Sequence, residues 1–179
     1  MEDHKTPLKF IDLPIPSPGE KELLIRVSVC GVCHTELDEI EGRTPPPRFP
    51  VVLGHQVVGR VTECGEGCTQ FRPGDRVGVA WFYDSCGHCA YCRSGRENLC
   101  PSFKGTGRDA DGGYAEFMVV PERSAFAIPD TLVDRAAAPL LCAGLIGYRS
   151  LVIAGDAERL GIYGFGAAAH IVAQVARYR

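Results

Sequence analysis

Cys86-Gly-His-Cys89-Ala-Tyr-Cys92-Arg-Ser-Gly-Arg-Glu-Asn-Leu-Cys100 gathers four of the chain's nine cysteines into one short stretch, with two, two and seven residues between them. Thiolates this close, joined by glycine and polar residues, can wrap a tetrahedral ion at about 2.3 Å per sulfur, because short loops close with little loss of entropy. The spacing reads as a closed, structural zinc site of four sulfurs. Cysteines that merely fill a core do not recur at two-residue gaps. A disulfide scaffold fits poorly with an odd cysteine count and with a start, Met1-Glu2-Asp3-His4-Lys5, that leads into no apolar signal segment. His88 lies inside the loop as an alternative ligand that four sulfurs make unnecessary. Four thiolates and one divalent ion leave a charge of −2, which Arg93 and Arg96 are placed to offset.

Around this stretch the chain has a globular composition: 179 residues, 45% hydrophobic, 23% charged, with a formal net charge of −3. No run approaches the roughly 18 to 20 apolar residues of a membrane span. The mildly acidic balance, without a Lys/Arg block, argues against nucleic acid and against anionic membranes as partners. The expected location is the cytoplasm.

Working outward, most of the chain reads as strand and turn. Leu23, Ile25, Val27 and Val29 alternate with Leu24, Arg26 and Ser28, so Glu22 to Val29 is expected as a strand with one buried face. The stiff run Pro14-Ile-Pro16-Ser-Pro18-Gly19 leads into it. Val57 to Glu63, Asp75 to Ala80, Gly113 to Val120 and Ser124 to Ile128 are further strand candidates, punctuated by turns such as Arg72-Pro73-Gly74-Asp75. Short strands and tight turns suggest a barrel or a sandwich. Beyond Pro129 the texture changes. Thr131 to Leu151 is Ala/Leu-rich and broken at Pro139, which reads as two helical pieces.

A second set of potential metal ligands is dispersed. Cys33 follows the first strand in Cys30-Gly31-Val32-Cys33-His34-Thr35, His55 lies in Gly54-His55-Gln56, and Cys142 precedes a helix in Pro139-Leu-Leu-Cys142-Ala-Gly144. Two thiolates and one imidazole would neutralise a zinc ion and leave one coordination position open, the arrangement of a catalytic site. A histidine in a Gly-flanked turn and a cysteine in an apolar helix also serve structural roles, and spacing alone leaves both readings standing. Cys30, Cys64 and Cys68 read as small apolar residues.

Cys33-His34-Thr35, Gly54-His55-Gln56-Val57-Val58-Gly59, Phe71-Arg72-Pro73-Gly74-Asp75-Arg76-Val77, the four-cysteine lobe, Gly112-Gly113-Tyr114-Ala115-Glu116 and Ala138-Pro139-Leu140-Leu141-Cys142-Ala143-Gly144 carry a resemblance over almost the whole chain. The sequence resembles the N-terminal catalytic domain of zinc-dependent alcohol dehydrogenases of the medium-chain dehydrogenase/reductase superfamily. The resemblance implies a mainly β fold with some α: a GroES-like, partly open barrel with a zinc lobe, followed by the start of a Rossmann domain. It implies that Cys33, His55 and Cys142 bind a catalytic zinc and that Cys86, Cys89, Cys92 and Cys100 bind a structural one. Thr35 matches the hydroxyl that passes on the alcohol proton, His34 a position facing the cofactor pyrophosphate, and Trp81 a bulky residue lining the alcohol pocket. Three departures stand out. Gln56 replaces a glutamate beside the zinc, Glu36 replaces the aspartate that orients the ligand histidine, and Asp38 takes the place of the histidine that ends the proton relay, so that proton transfer is expected to go through Asp38 or through water.

Arg159 to Tyr163 reads as a short strand running into Gly164-Phe165-Gly166-Ala167-Ala168-Ala169, the G-x-G-x-x-A form of the dinucleotide fingerprint, in which Gly164, Gly166 and Ala169 would approach NAD or NADP. Thirteen residues follow Gly166, fewer than the roughly thirty of a complete βαβ unit. The expected division is therefore a GroES-like catalytic domain over 1–152, with its zinc lobe at about 84–103, and an incomplete start of a Rossmann domain over 153–179. The function expected at family level is hydride transfer between a small alcohol, aldehyde or ketone and NAD(P), with two zinc ions, and the chain alone is expected to transfer hydride poorly or not at all. A zinc-stabilised binding module without turnover is the alternative. Leu160 to Tyr163, with Ile171, Val172 and Val175, is expected either to be disordered or to pair with another chain in a homo-oligomer.

Overall fold

A computed structural model describes residues 1–3 and 5–179. The first strand, β1 (Glu22–Cys30), leads to helix α1 (His34–Ile40); β2 (Val57–Cys64), β3 (Arg76–Val79) and β4 (Phe82–Asp84) follow. The cysteine lobe holds two short 3-10 turns, Cys92–Ser94 and Glu97–Leu99. Then come β5 (Lys104–Gly105), β6 (Phe117–Pro121), β7 (Ala125–Ala127), α2 (Asp134–Ala137), a 3-10 turn over Ala138–Leu141, α3 (Ala143–Ala154) and α4 (Ala167–Tyr178). Five strands form an antiparallel sheet in the order β6-β1-β2-β3-β7, while β4 and β5 pair separately. Register shifts between Leu24 and Ile25 and between Val27 and Val29 interrupt the β1–β2 ladder. Irregularities of this kind increase local twist and bend a strand, and the sheet is the curled half-barrel of a GroES-like fold.

Alternation along the strands decides which face is buried. Leu23 and Ile25 of β1, Val57 and Val61 of β2, Val77 and Val79 of β3, and Met118 and Val120 of β6 form one core cluster. Val58, one residue out of phase with Val57, turns to the opposite face and packs with Ala80, Ala137, Ala138 and Leu141. The segment running up to Cys142 is thereby laid against the back of the sheet. Arg76 fastens it further, donating from Nε to Asp134 Oδ1 at 2.7 Å and from Nη1 to the Pro129 carbonyl at 2.9 Å. Gly78 makes the close approach feasible, since a Cβ there would lie 2.9 Å from Leu141 Cδ1.

The loop after β2 is held by one carboxylate. Glu122 Oε1 accepts from the backbone N–H groups of Thr69, Gln70 and Phe71 at 2.9, 2.7 and 3.1 Å. Burial works against its charge, but these donors outweigh burial and hold the carboxyl below its ordinary value of 4.5. A depressed acid stabilises the fold above its unfolded pKa, and that contribution is lost as pH falls through the depressed value. Glu122→Gln should therefore cost about 1–3 kcal/mol at neutral pH and should flatten the acid limb below about pH 4.5 in denaturant titrations. An unchanged acid limb would count against this role.

Two expectations are corrected. The run Gly113 to Val120 becomes strand only from Phe117, because the N–H groups of Gly112, Gly113 and Tyr114 bond instead to the carbonyls of Val52, Gly54 and Leu53. Arg159 to Tyr163 is not a strand; a parallel strand needs a neighbour for its ladder, and none lies beside it among the described residues. Beyond it, α4 packs on α3, with Val172 only 9% exposed and filling the space over Gly147, where a Cβ would come within 2.5 Å of Val172 Cγ2. Among the described residues no single helix is long and apolar enough to cross a membrane.

Candidate metal centres and the cleft between them

Sheet register brings the dispersed ligands together. Cys30 of β1 is paired with Val57 of β2, and Val57 with Val79 of β3. Cys33 lies three residues beyond the first of these, His55 two before the second, and Trp81 two beyond the third, so antiparallel pairing delivers all three to one end of the sheet. Cys142 arrives at the same place from the back, directly after Leu141 and immediately before α3. Gly54, at φ +100, turns the chain so that His55 faces inward, and Tyr114 and Cys30 pack where a Cβ would stand.

The ligand atoms of Cys33, His55 and Cys142 lie within 4.8 Å of one another, and the two sulfurs are 3.8 Å apart. Tetrahedral coordination at about 2.3 Å places two sulfurs about 3.8 Å apart, so the trio fits a zinc ion. His55 is 1% exposed, and its Nε2 has no hydrogen-bond partner among the described residues. An unpaired buried nitrogen is costly, and a metal would satisfy it. Nδ1 lies 2.6 Å from Glu36 Oε1, a contact that holds the ring in place and leaves Nε2 as the nitrogen a metal would take. Glu36 Oε2 meanwhile accepts from the Cys33 N–H at 2.9 Å. One carboxylate thus orients the imidazole and caps α1, and the extra methylene relative to aspartate is accommodated.

Electrostatics at the trio follow from this crowding. Contact with Cys142, then with His55, pulls the Cys33 thiol down to about 3. Cys142 is pushed up by Cys33 and by burial. Burial opposes a charge on His55, yet Cys33 and Glu36 together raise it to about 9. These are the properties of a site built to hold positive charge.

A cleft of about 1410 Å³ opens above the trio. Trp81 stands edge-on to His55, with ring centroids 5.0 Å apart, and Phe103, Phe126, Leu141 and Ile146 continue an apolar wall. Thr35 and His34 border the cleft, and Thr35 Oγ1 is 3.6 Å from Cys33 Sγ. Ala167 and Ala168, from the Gly-rich turn, border it too, while Gly166 immediately precedes α4. Asp38 does not join this group. Its carboxylate accepts from Arg43 Nε at 2.6 Å, and it is absent from the cleft wall. Gln56 is buried over Gly31 beside His55.

In the lobe, sulfur–sulfur distances are 3.9 Å for Cys86–Cys92, 3.5 Å for Cys89–Cys92 and 3.5 Å for Cys86–Cys100, and none of these cysteines is disulfide-bonded. Backbone N–H groups point at the sulfurs, Cys89 to Cys86 at 3.4 Å and Ser102 to Cys100 at 3.3 Å. The N–H groups of His88 and Cys89 lower the Cys86 thiol to about 6. The four sulfurs can hold a second ion with no open position. His88 stays outside, its Nδ1 against the Cys86 carbonyl at 2.8 Å. Arg96 lies over the Tyr91 ring rather than on the sulfurs.

Sequence reading missed Glu39. It is 1% exposed, its Oε1 has no hydrogen-bond partner among the described residues, and burial followed by repulsion from Glu36 raises it to about 7. The available signal was its position three residues after Glu36, on the same helical face.

The family described as "Alcohol dehydrogenase GroES-like domain" matches residues 19–130. A probable alcohol dehydrogenase AdhA of Mycobacterium tuberculosis is 51% identical over 177 residues, which cover 95% of this chain and 51% of that protein. An alcohol dehydrogenase of Geobacillus stearothermophilus is 41% identical, covering 99% and 53%. Among solved structures, the alcohol dehydrogenase of Aeropyrum pernix superposes with a TM-score of 0.86 at 31% identity, covering 99% of this chain and 55% of that one. A cinnamyl alcohol dehydrogenase of Sorghum bicolor gives 0.84 at 35%, covering 93% and 50%. The chain spans about half the length of these relatives. Sheet, lobe and matched residues agree, and the chain belongs to the alcohol dehydrogenase GroES-like domain family of the zinc-dependent medium-chain dehydrogenases/reductases.

Proposed function

We propose that this chain carries the alcohol-activating half of a zinc-dependent oxidoreductase that transfers hydride between a primary or secondary alcohol and NAD(P). The observation that carries the reading is the unpaired, buried Nε2 of His55, beside two sulfurs 3.8 Å apart at the floor of an apolar cleft. Cys33, His55 and Cys142 would hold one zinc, and Cys86, Cys89, Cys92 and Cys100 the other. Zinc bound by the trio supplies a Lewis acid that acidifies an alcohol O–H and polarises a carbonyl.

The chain's own groups do the rest. Glu36 holds the His55 ring in place through Nδ1. Thr35 offers a hydroxyl at the cleft to receive the alcohol proton. Asp38 is engaged by Arg43 and lies off the cleft wall, so the proton leaves through water. The apolar wall excludes water from the hydride path and favours a small, apolar alcohol, aldehyde or ketone. His34 and the turn carrying Gly164, Gly166 and Ala169 are the proposed dinucleotide contacts, with the pyrophosphate at the start of α4. Residues 1–152 are accordingly the catalytic domain and 153–179 the beginning of the cofactor domain.

Metal analysis of protein purified without chelator, beside an assay of NAD and NADP reduction with small alcohols, tests the reading. Two zincs per chain are expected. Fewer than two would overturn it, and two zincs without cofactor reduction in a form of the protein that carries the complete cofactor domain would favour a binding module. Trp81→Ala should raise kcat/KM for bulky aromatic alcohols over ethanol by about 10-fold or more, the effect of a few methylenes of pocket space. An unchanged ratio would remove Trp81 from the pocket.

A further inference from the structure

Of the nine cysteines, seven are placed in the two metal centres. Cys30 is packed against Gly54 and Gly113. The remaining two, Cys64 and Cys68, share one turn at the opposite end of β2 from His55. The N–H of Cys68 donates to the Gly65 carbonyl at 3.4 Å, and Gly67 takes φ +79, so the chain doubles back within four residues. A single acceptor, the Glu22 carbonyl, receives both the Gly65 N–H at 2.8 Å and the Cys68 S–H at 3.3 Å. This brings the Cys68 sulfur onto the peptide that begins at Cys64. The Cys64 thiol lies 3.5 Å from the Phe71 carbonyl, and both cysteines pack against the same core cluster. Both are half-buried and free.

We propose that Cys64 and Cys68 are a thiol-oxidation site that closes to an intramolecular disulfide on reaction with a small-molecule disulfide such as oxidised glutathione. One cysteine, as thiolate, attacks a sulfur of the reagent and expels one glutathione thiolate, leaving a mixed disulfide. The second cysteine, as thiolate, then attacks the protein sulfur of that mixed disulfide and expels the second glutathione. An S–S bond joins Cys64 to Cys68, the protein loses two electrons and two protons, and the reagent becomes two thiols. The turn, with Gly65 and Gly67 between the two cysteines, keeps both on one core cluster and is one in which a short rotation of the side chains can bring the sulfurs together.

Selectivity follows by elimination. Cysteines coordinated to zinc have their sulfur lone pairs engaged, and burial raises the Cys30 thiol to about 12. Burial, and after it the neighbouring Glu122 carboxylate, raises Cys64 and Cys68 as well. The reaction is therefore slow at neutral pH and accelerates above it, as the thiolate fraction grows.

The test uses zinc-loaded protein incubated with oxidised glutathione at about pH 8, quenched with iodoacetamide and digested with trypsin. The peptide of residues 61–76 should lose two hydrogens, about 2 Da, take up no alkyl group, and recover both thiols on reduction, while the zinc content stays constant. Cys64→Ser should instead retain a stable glutathione adduct on Cys68, and Cys68→Ser one on Cys64. Zinc stoichiometry of each variant verifies that it is folded. Recovery of the wild-type peptide doubly alkylated, or with a persistent glutathione adduct and no ring closure, would overturn the proposal.

Discussion

Cys89→Ser should yield a chain that binds one zinc fewer and melts at least about 10 °C lower, a loss of some 4 kcal/mol or more for a domain of this size. The lobe has almost nothing else to hold it. Between residues 86 and 100 only Cys100 is buried, and the regular structure amounts to two 3-10 turns of three residues each. Sulfur–metal bonds would replace the missing core, and structural zinc sites contribute about 10–16 kcal/mol in isolated peptides. Limited proteolysis should cut first at Arg93 and Arg96, both exposed on the freed loop. A variant with wild-type melting and an uncut lobe would mean that the fold does not depend on this metal.

His55→Ala should act mainly on chemistry. The imidazole is buried against Trp81 and Glu36, so its loss should lower stability by about 1–3 kcal/mol, while far-UV circular dichroism and the lobe's zinc persist and the second zinc is lost. Alcohol oxidation, measured in a form of the protein that reduces NAD(P), should fall by about 10³-fold or more, the contribution expected when a Lewis acid is removed from the transition state. Glu36→Gln should be milder, weakening zinc binding by about 10–100-fold through the misoriented imidazole. If His55→Ala kept both zincs and its rate, the trio would not be the catalytic centre.

The sheet was legible where one physical signal dominated. Leu23, Ile25 and Val27 alternate cleanly, and β1 runs Glu22–Cys30 within one residue of the expected bounds. The four cysteines of the lobe needed only their spacing. Cys33, His55 and Cys142 were legible one at a time, but their convergence depends on the Cys30–Val57–Val79 rung, a long-range fact that local pattern does not carry. Gly113 and Tyr114 looked like strand because they continue into Phe117, yet their amides hold the loop that presents His55. β4 and β5, three residues and two, are too short to announce themselves. Glu39 was invisible for a different reason: a carboxylate on a short helix is ordinarily solvated, and its burial follows from packing that the sequence does not reveal.

Glu36 touches both the amide that opens α1 and the ring that awaits the metal. A metal held by the trio would therefore also stabilise the start of α1, because one side chain serves both, and whatever loosens the first turn of that helix would weaken the site's hold on its ion.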